Sequence, residues 1–197
     1  MRWENLFQDL EGQLEQELDA EELELRAEEE RLRIGRMTLR DRIVAASGDG
    51  TSVEPLRLVL SDGARLELRL TAYGRDWVAG EAVGELRRHG PVVVPLGSIA
   101  TVLLDSDQLG HSLTAAPAGA SPPLADRLGL AFVLRTVCRR RSAVDLVLTD
   151  GRVHGTVDRV GRDHLDLAVH EPGLPRRRDA VRQVRLVPFA QLVLVRI

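Results

Sequence analysis

Arginine clusters are the residues of this sequence best suited to chemistry with a ligand. Guanidinium groups bind phosphate through a two-pronged hydrogen-bonding fork, and several such contacts give strong, salt-sensitive binding to nucleic acid. An alternative is that arginines in the last turn of a helix or in a loop are simply solvated. The candidate RNA or DNA contacts are Arg139, Arg140, Arg141, Arg176, Arg177, Arg178, Arg182 and Arg185.

A second group, Asp163, His164, Asp166 and His170, has residue types that bind metal ions. Alternation along a strand would put His164, Asp166 and His170 on one side, but the solvent face of a half-buried strand predicts the same pattern. We therefore predict no metal and no cofactor. The spacing indicates no catalytic triad, phosphate-binding glycine loop or paired acids, so neither an enzyme nor a small-molecule substrate is expected.

Composition restricts the class of protein. All 27 basic residues are arginine, which suggests a GC-rich bacterial genome and lowers the weight of the arginine count as a functional signal. The chain carries a single cysteine, Cys138, which we interpret as a buried helix residue in a reducing compartment. No apolar run is long enough to cross a membrane, and the acidic start does not resemble a secretory signal. We expect a cytoplasmic protein with no membrane partner.

Residues 1–36 predict an acidic amphipathic helical arm. The first 30 residues contain 12 acidic and two basic residues, and good helix formers dominate. Apolar residues at spacings of three and four form one face, which is typical of a packed helix or a short coiled coil. Three interpretations stay open: packing on the rest of the chain, self-association or docking of a protein partner, or competition with nucleic acid for the basic remainder. The candidate partner-binding residues are Trp3, Phe7, Leu10, Leu14 and Leu18.

The remainder of the chain repeats one pattern twice. LRLVLSDG at 56–63 and VDLVLTDG at 144–151 are apolar runs ending in Asp-Gly, which indicates a tight hairpin turn. Gly-Arg-Asp recurs at 74–76 and 161–163, with one extra residue needed in the first copy. Each copy then ends in a single predicted apolar strand, at 92–104 and 185–197. Five short bent strands of this kind predict a small barrel.

Short helices are predicted before each copy, with Thr38 as cap of LRDRIVAA and Ser121 as cap of a helix over 124–141. The predicted domains are the arm at 1–36, a first barrel at 37–104, an Ala/Gly/Ser/Pro linker at 105–123, and a helix plus second barrel at 124–197. The predicted fold class is mainly β.

The second copy resembles the first motif of Sm-like proteins, a V-x-L-x-D-G-R-x-x-x-G-x-V pattern that ends in D-x-L-x-L. The match is best over 144–167 and weaker over 56–79. This resemblance implies a bent, five-stranded Sm-like or SH3-like barrel, with Asp166 nearest to the position of an RNA-contacting Asn. The layout of an acidic helix and two such modules also resembles uncharacterised actinobacterial proteins.

These observations favour a non-catalytic binding or adaptor protein that uses the basic second module for RNA or DNA. The alternative is a protein-protein scaffold or assembly factor that acts through the N-terminal helix without nucleic acid. The position of the 176–178 loop relative to Arg139–Arg141 distinguishes the two hypotheses. Nucleic-acid binding requires a basic patch, and that patch exists only if the two arginine segments lie together.

Overall fold

The computed structural model describes residues 21–48, 55–84, 90–114, 127–173, 176–177 and 179–197. The chain forms two compact units, residues 1–39 and 40–197. The five candidate partner-binding residues, Trp3, Phe7, Leu10, Leu14 and Leu18, lie outside the described residues. In the first unit residues 21–36 are helical (α1). Exposed ion pairs along this helix include Glu22–Arg26 at 2.8 Å. Its leucines Leu23, Leu25 and Leu32 are exposed.

The second unit begins with a short helix and continues mainly as strands. Its helices are α2 (Leu39–Ala46), α3 (Ser106–Ser112) and α4 (Leu130–Arg140). The strands of the first copy are β1 (Leu56–Leu60), β2 (Arg65–Tyr73), β3 (Trp77–Ala82), β4 (Pro91–Pro95) and β5 (Ile99–Leu103). Those of the second copy are β6 (Ala143–Leu148), β7 (Gly151–Val160), β8 (His164–Val169), β9 (Gln183–Pro188) and β10 (Leu192–Arg196).

All ten strands belong to one antiparallel sheet in the order β5-β1-β2-β3-β4-β10-β6-β7-β8-β9. The predicted mainly-β fold is confirmed. Each copy contributes five neighbouring strands, and the copies share the sheet because β4 pairs with β10. The prediction of one closing strand per copy is wrong. A 3₁₀ turn directly after Val-Pro, at Leu96–Ser98 and Phe189–Gln191, divides that segment into two strands.

The duplication extends to the irregularities of the sheet. A bulge interrupts β2 between Leu70 and Ala72, and the matching bulge interrupts β7 between Val157 and Arg159. The extra residue of the first copy lies in the hairpin turn. There Leu60 N–H donates to Ala64 O at 2.8 Å, whereas Leu148 in the second copy pairs directly with Gly151. The two halves therefore share one strand pattern, including its bulge.

Two buried apolar clusters fill the second unit, one for each copy, and both cross the β4–β10 pairing. Val93 of β4 belongs to the cluster of the second copy, which includes Leu134 and Leu146. Val193 and Leu194 of β10 belong to the cluster of the first copy. The two cores consequently interlock where the copies meet; we call this junction the β4–β10 seam.

Helix α4 begins later than the sequence predicts. The Gly-Arg-Asp loop of the first copy holds its start: Asp76 Oδ1 accepts from Leu130 N–H at 2.7 Å, and Trp77 Nε1–H donates to Leu128 O at 2.9 Å. The residue before the helix, Gly129, supplies no side-chain cap of its own. A tertiary contact therefore fixes Leu130, and not residue 124, as the first helical residue.

Helix α3 occupies part of the predicted linker. A capping box starts it, in which Asp105 Oδ1 accepts from Gln108 N–H at 2.8 Å and Gln108 in return reaches the Asp105 N–H. Helix α2 covers the residues expected to follow Thr38. Within the described part of the chain, every helix is too short or too polar to cross a membrane.

Candidate nucleic-acid interface

The two arginine runs of the second copy meet at one carboxylate. Arg141 follows α4, and its Nη1 donates to Asp158 Oδ1 at 3.1 Å. Arg176, in the loop between β8 and β9, reaches the same carboxylate with two nitrogens, and its Nε donates to Oδ1 at 2.7 Å. The segments are separated by more than thirty positions in the sequence, so β7 brings them together.

Asp158 owes its position to the bulge in β7. The pairing with β8 passes from Val157↔Leu167 to Arg159↔Asp166, which leaves Asp158 without an opposite residue. Bulges of this kind redirect a side chain from the regular alternation of a strand. The Cys138 thiol of α4 donates to Asp158 O at 3.3 Å and ties the bulge to the helix.

The Asp158 cluster consists of this carboxylate, Arg141, Arg159, Asp166 and Arg176. Arg159 Nη1 lies 3.5 Å from Asp166 Oδ2. Both carboxylates are largely buried, with 17% and 20% of their side chains exposed, whereas Arg159 is 85% and Arg141 62% exposed. Three guanidinium groups against two carboxylates leave one net positive charge, and the positive groups are the ones that face solvent.

An open cavity of about 310 Å³ lies among these side chains, with Val184 of β9 as its apolar wall. The hydrogen bond from Arg176 to Asp158 raises the pKa of the Arg176 guanidinium above its ordinary value. The arginine is therefore charged at every physiological pH. The Nε and one Nη of Arg176 bind Asp158, so only its remaining N–H groups are free of that carboxylate, and Arg141 and Arg159 are the more exposed guanidinium groups of the cluster.

The other candidate arginines are only partly gathered here. Arg139 and Arg140 are exposed in the last turn of α4, and Arg177 is exposed beside Arg176. Arg182 is paired with Glu171, and Arg185 lies against the side-chain amide of Gln183 on β9. Arg178 lies outside the described residues. The two runs thus converge through one residue each, Arg141 and Arg176.

The first copy lacks this cluster at the equivalent positions. Its bulge holds Thr71 in place of Asp158, and the cross-strand pair Arg159↔Asp166 is replaced by Ala72↔Ala79. The same bulge and strand pairing thus form with uncharged residues. The fold by itself does not require the charged set.

The aspartates and histidines of β8 do not form one group. His170 is buried, where its Nε2 lies 2.9 Å from Thr156 Oγ1, so its placement on a solvent face is wrong. His164 pairs with its neighbour Asp163 at 2.8 Å, and this hydrogen bond lowers the pKa of the Asp163 carboxyl. Among the described residues no three His, Cys, Asp or Glu side chains are arranged to hold a metal ion.

Asp158 and Arg159 are the cluster residues that the sequence does not single out. A residue pair Asp-Arg inside an alternating strand resembles any solvent-facing pair, and only the bulge places Asp158 beneath two arginines. Comparing the copies gives the one available signal, since Thr71-Ala72 aligns with Asp158-Arg159.

Comparisons with known proteins add no relative to this description, because no family model, no curated protein and no solved structure matches the chain significantly.

Proposed function

We propose that this chain is a non-catalytic binding protein whose second module binds the phosphate backbone of RNA or DNA at the Asp158 cluster. The observation that carries the proposal is the meeting of Arg141 and Arg176 on Asp158, beside the exposed Arg159. We further infer that each five-stranded copy is a small Sm-like or SH3-like barrel. A cytoplasmic location, expected from the single cysteine, belongs to the same proposal.

Charge placement supports phosphate as the ligand class. The carboxylates lie beneath the guanidinium groups and hold them in place, while the outward N–H groups of Arg141 and Arg159 remain available. Preorganised arginines lose less side-chain entropy when they bind an anion than mobile ones do. An orienting carboxylate under an arginine is therefore compatible with a phosphate site.

The contrast between the copies supports a functional origin of the cluster. Since the first copy forms the same bulge with Thr71, Ala72 and Ala79, folding does not explain Asp158, Arg159 and Asp166. Exposed ion pairs stabilise proteins by only about 0–1 kcal/mol, so stability is a weak reason for the charged set. Ligand binding is a function that Asp158, Arg159 and Asp166 of the second copy can serve.

The test is fluorescence anisotropy with labelled single-stranded RNA and duplex DNA at about 50 and 200 mM salt. We expect wild-type binding to weaken steeply with salt. A variant with Arg141, Arg159 and Arg176 changed to Ala should lose binding about 100-fold or more, since each phosphate contact contributes separately. The matched control changes Arg57, Arg65 and Arg69 to Ala. These are three exposed arginines on β1 and β2 of the first copy, so the net charge changes equally.

Asp158→Asn tests the role of the orienting carboxylate. It removes the charge that holds Arg141 and Arg176 in place at nearly constant shape, so we expect weaker binding than in the wild type although the net charge becomes more positive. Equal losses in both triple variants would mean that overall charge, and not this cluster, attracts the nucleic acid. Flat anisotropy of the wild-type protein at low salt would overturn the proposal.

A protein-protein scaffold is the second candidate. The observation that favours it is that the two copies already associate edge to edge through β4 and β10, while Leu23, Leu25 and Leu32 of the arm are exposed. In that case the arm binds a protein partner or a second copy of the chain. Loss of partner binding in a Trp3→Ala, Phe7→Ala variant, together with flat anisotropy, is the expected result for this candidate.

A further inference from the structure

A row of polar side chains crosses strands β10, β6 and β7 of the second copy. Arg196 of β10 lies opposite Asp145 of β6, and Asp145 in turn lies opposite His154 of β7. The residues next to them in the sequence belong to the apolar cluster of the second copy, so alternation along each strand places the row on the other face of the sheet. Arg152, two residues before His154 on β7, shares that face. We call Arg196, Asp145, His154 and Arg152 the Arg196 row.

Two side-chain atoms of the Arg196 row are buried and have no hydrogen-bond partner among the residues that the structure describes. They are Nε of Arg196 and Nε2 of His154. Arg196 as a whole is 6% exposed, so water reaches little of it. Buried polar groups are nearly always hydrogen-bonded in proteins, because an unpaired one loses its hydration without compensation. The row therefore contains two polar atoms whose partners the described chain does not supply.

The hydrogen bond between Asp145 and His154 shows which kind of partner the imidazole lacks. Asp145 Oδ1 lies 2.7 Å from His154 Nδ1. An ionised carboxylate only accepts hydrogen bonds, so Nδ1 carries the proton and Nε2 of the neutral ring is an acceptor. The neighbouring His170 lies edge-on to His154, and its own nitrogens contact Thr156 Oγ1 and the Glu171 carbonyl oxygen. His154 Nε2 therefore lacks a donor, whereas Arg196 Nε lacks an acceptor.

The charges of the row favour an anion over a metal ion. Arg196 and Arg152 contribute two positive charges against the single carboxylate of Asp145. Burial and the nearby charge of Arg152 lower the pKa of the Arg196 guanidinium, and Asp145 offsets this effect only in part. Arginine nevertheless remains protonated in proteins. A ligand reaches the row from the side of Asp145, whose side chain is 48% exposed, and of the exposed Arg152.

The equivalent row of the first copy is open to water. There Arg57 of β1 lies opposite both Leu103 and Glu67, and all three residues are exposed. Water hydrates these charged groups, so they need no other partner. The buried, unsatisfied atoms are thus a property of the second copy and not of the strand pattern that the copies share.

We propose that the Arg196 row binds inorganic phosphate. One phosphate oxygen accepts a hydrogen bond from Arg196 Nε–H, and the remaining P–O–H of the hydrogen phosphate ion donates to His154 Nε2. This anion supplies both missing partners at once. Sulfate and a phosphodiester carry no O–H at neutral pH, so neither can donate to His154. The ligand therefore differs from the nucleic-acid backbone that we propose for the Asp158 cluster.

Isothermal titration calorimetry of the full chain with inorganic phosphate is the first test, at constant ionic strength and about pH 8, where imidazole groups are ordinarily neutral. We expect saturable binding of phosphate. Sulfate, dimethyl phosphate and phenyl phosphate should bind at least about tenfold more weakly, because each leaves His154 Nε2 without a donor; phenyl phosphate has lost its last O–H at this pH. Equal affinities for phosphate and sulfate, or no binding of phosphate, would overturn the proposal.

Arg196→Met removes the guanidinium and keeps a long apolar stem, so it should lower the affinity for phosphate about tenfold or more. The matched control is Arg57→Met, which makes the same change of charge in the exposed row of the first copy and should bind phosphate like the wild type. Circular dichroism checks the fold of both variants. If Arg196→Met does not fold, the exposed Arg152→Met replaces it, with an expected loss of affinity of severalfold. Wild-type affinity in the variant used would contradict the proposed site.

His154→Gln tests the contact with the phosphate O–H. A glutamine amide can donate a hydrogen bond as well as accept one, so it suits sulfate as well as phosphate. We expect the preference for phosphate over sulfate to disappear in this variant, whereas a purely structural role of His154 would lower both affinities equally and leave the preference unchanged.

A separate comparison distinguishes the Arg196 row from the Asp158 cluster. If phosphate binding is lost in the variant with Arg141, Arg159 and Arg176 changed to Ala and kept in Arg196→Met, the anion binds at the Asp158 cluster and the present proposal is wrong. The titration contains no nucleic acid, so the failure of either proposal does not decide the other.

Discussion

Gly155 of β7 illustrates how a single residue sets the spacing of two strands. A methyl group added there would lie 2.4 Å from Ala168 O on β8 and 3.0 Å from the Leu167 side chain. Both neighbours are fully buried, so neither has room to move. The glycine is required by the close approach of the strands and not by its backbone angles.

We expect Gly155→Ala to lower the free energy of unfolding by about 1–3 kcal/mol, the usual cost of overpacking a well-filled interior. Gly97→Ala is the matched control, because an added methyl at Gly97 has no atom within 4 Å and should change stability by less than about 0.5 kcal/mol. Urea denaturation followed by circular dichroism measures both. Equal effects of the two substitutions would show that β8 can shift away from β7.

At the residue scale the sequence predicted some positions and not others. Gly63 and Gly151 have the positive φ angles that the Asp-Gly turn pattern predicts. The burial of His170 was not predicted, because alternation places it with His164 and Asp166 while the actual neighbour is Thr156. Such a polar pair depends on which residues face each other across β7 and β8, and one strand alone does not contain that information.

At the scale of elements, the start of α4 depends on a loop of the other copy. Asp76 supplies the carboxylate that caps Leu130 N–H, since Gly129 has no side chain to do so. The sequence supported a helix here but placed its start at residue 124, because local capping rules consider only neighbouring residues. The same limitation concealed the 3₁₀ turns that divide each closing segment into two strands.

Asp76→Ala should destabilise the protein by about 1 kcal/mol, the typical value for loss of a helix cap. The matched control is Asp163→Ala, the equivalent aspartate of the second copy, whose side chain is 84% exposed and bonds its neighbour His164. We expect little change from that substitution. Thermal unfolding followed by circular dichroism compares the two variants. A larger loss of stability for Asp163→Ala would argue against the capping role of Asp76.

At the scale of the whole molecule, the β4–β10 seam joins two similar halves into one unit. The repeat itself was visible in the sequence, as was the presence of five short strands in each half. The sequence did not show which strands pair between the two halves. Val92-Val93 of β4 and Arg185-Leu186 of β9 are equivalent in the repeat, and only the burial of Val92 and Val93 shows that the edge of β4 is the internal one. Since each core cluster contains residues of the other copy, neither half retains a complete core on its own.

We therefore expect both halves to unfold in one cooperative transition. Leu134→Ala, at a fully buried position of α4 in the second copy, should cost about 2–5 kcal/mol. Hydrogen exchange followed by mass spectrometry should show this loss of protection in the β1–β2 hairpin of the first copy as well as in β6–β7. The reciprocal variant, Leu68→Ala at a fully buried position of the first copy, should reduce protection in both hairpins in the same way. Protection lost only in the mutated half would mean that the seam is a contact between two independently stable domains.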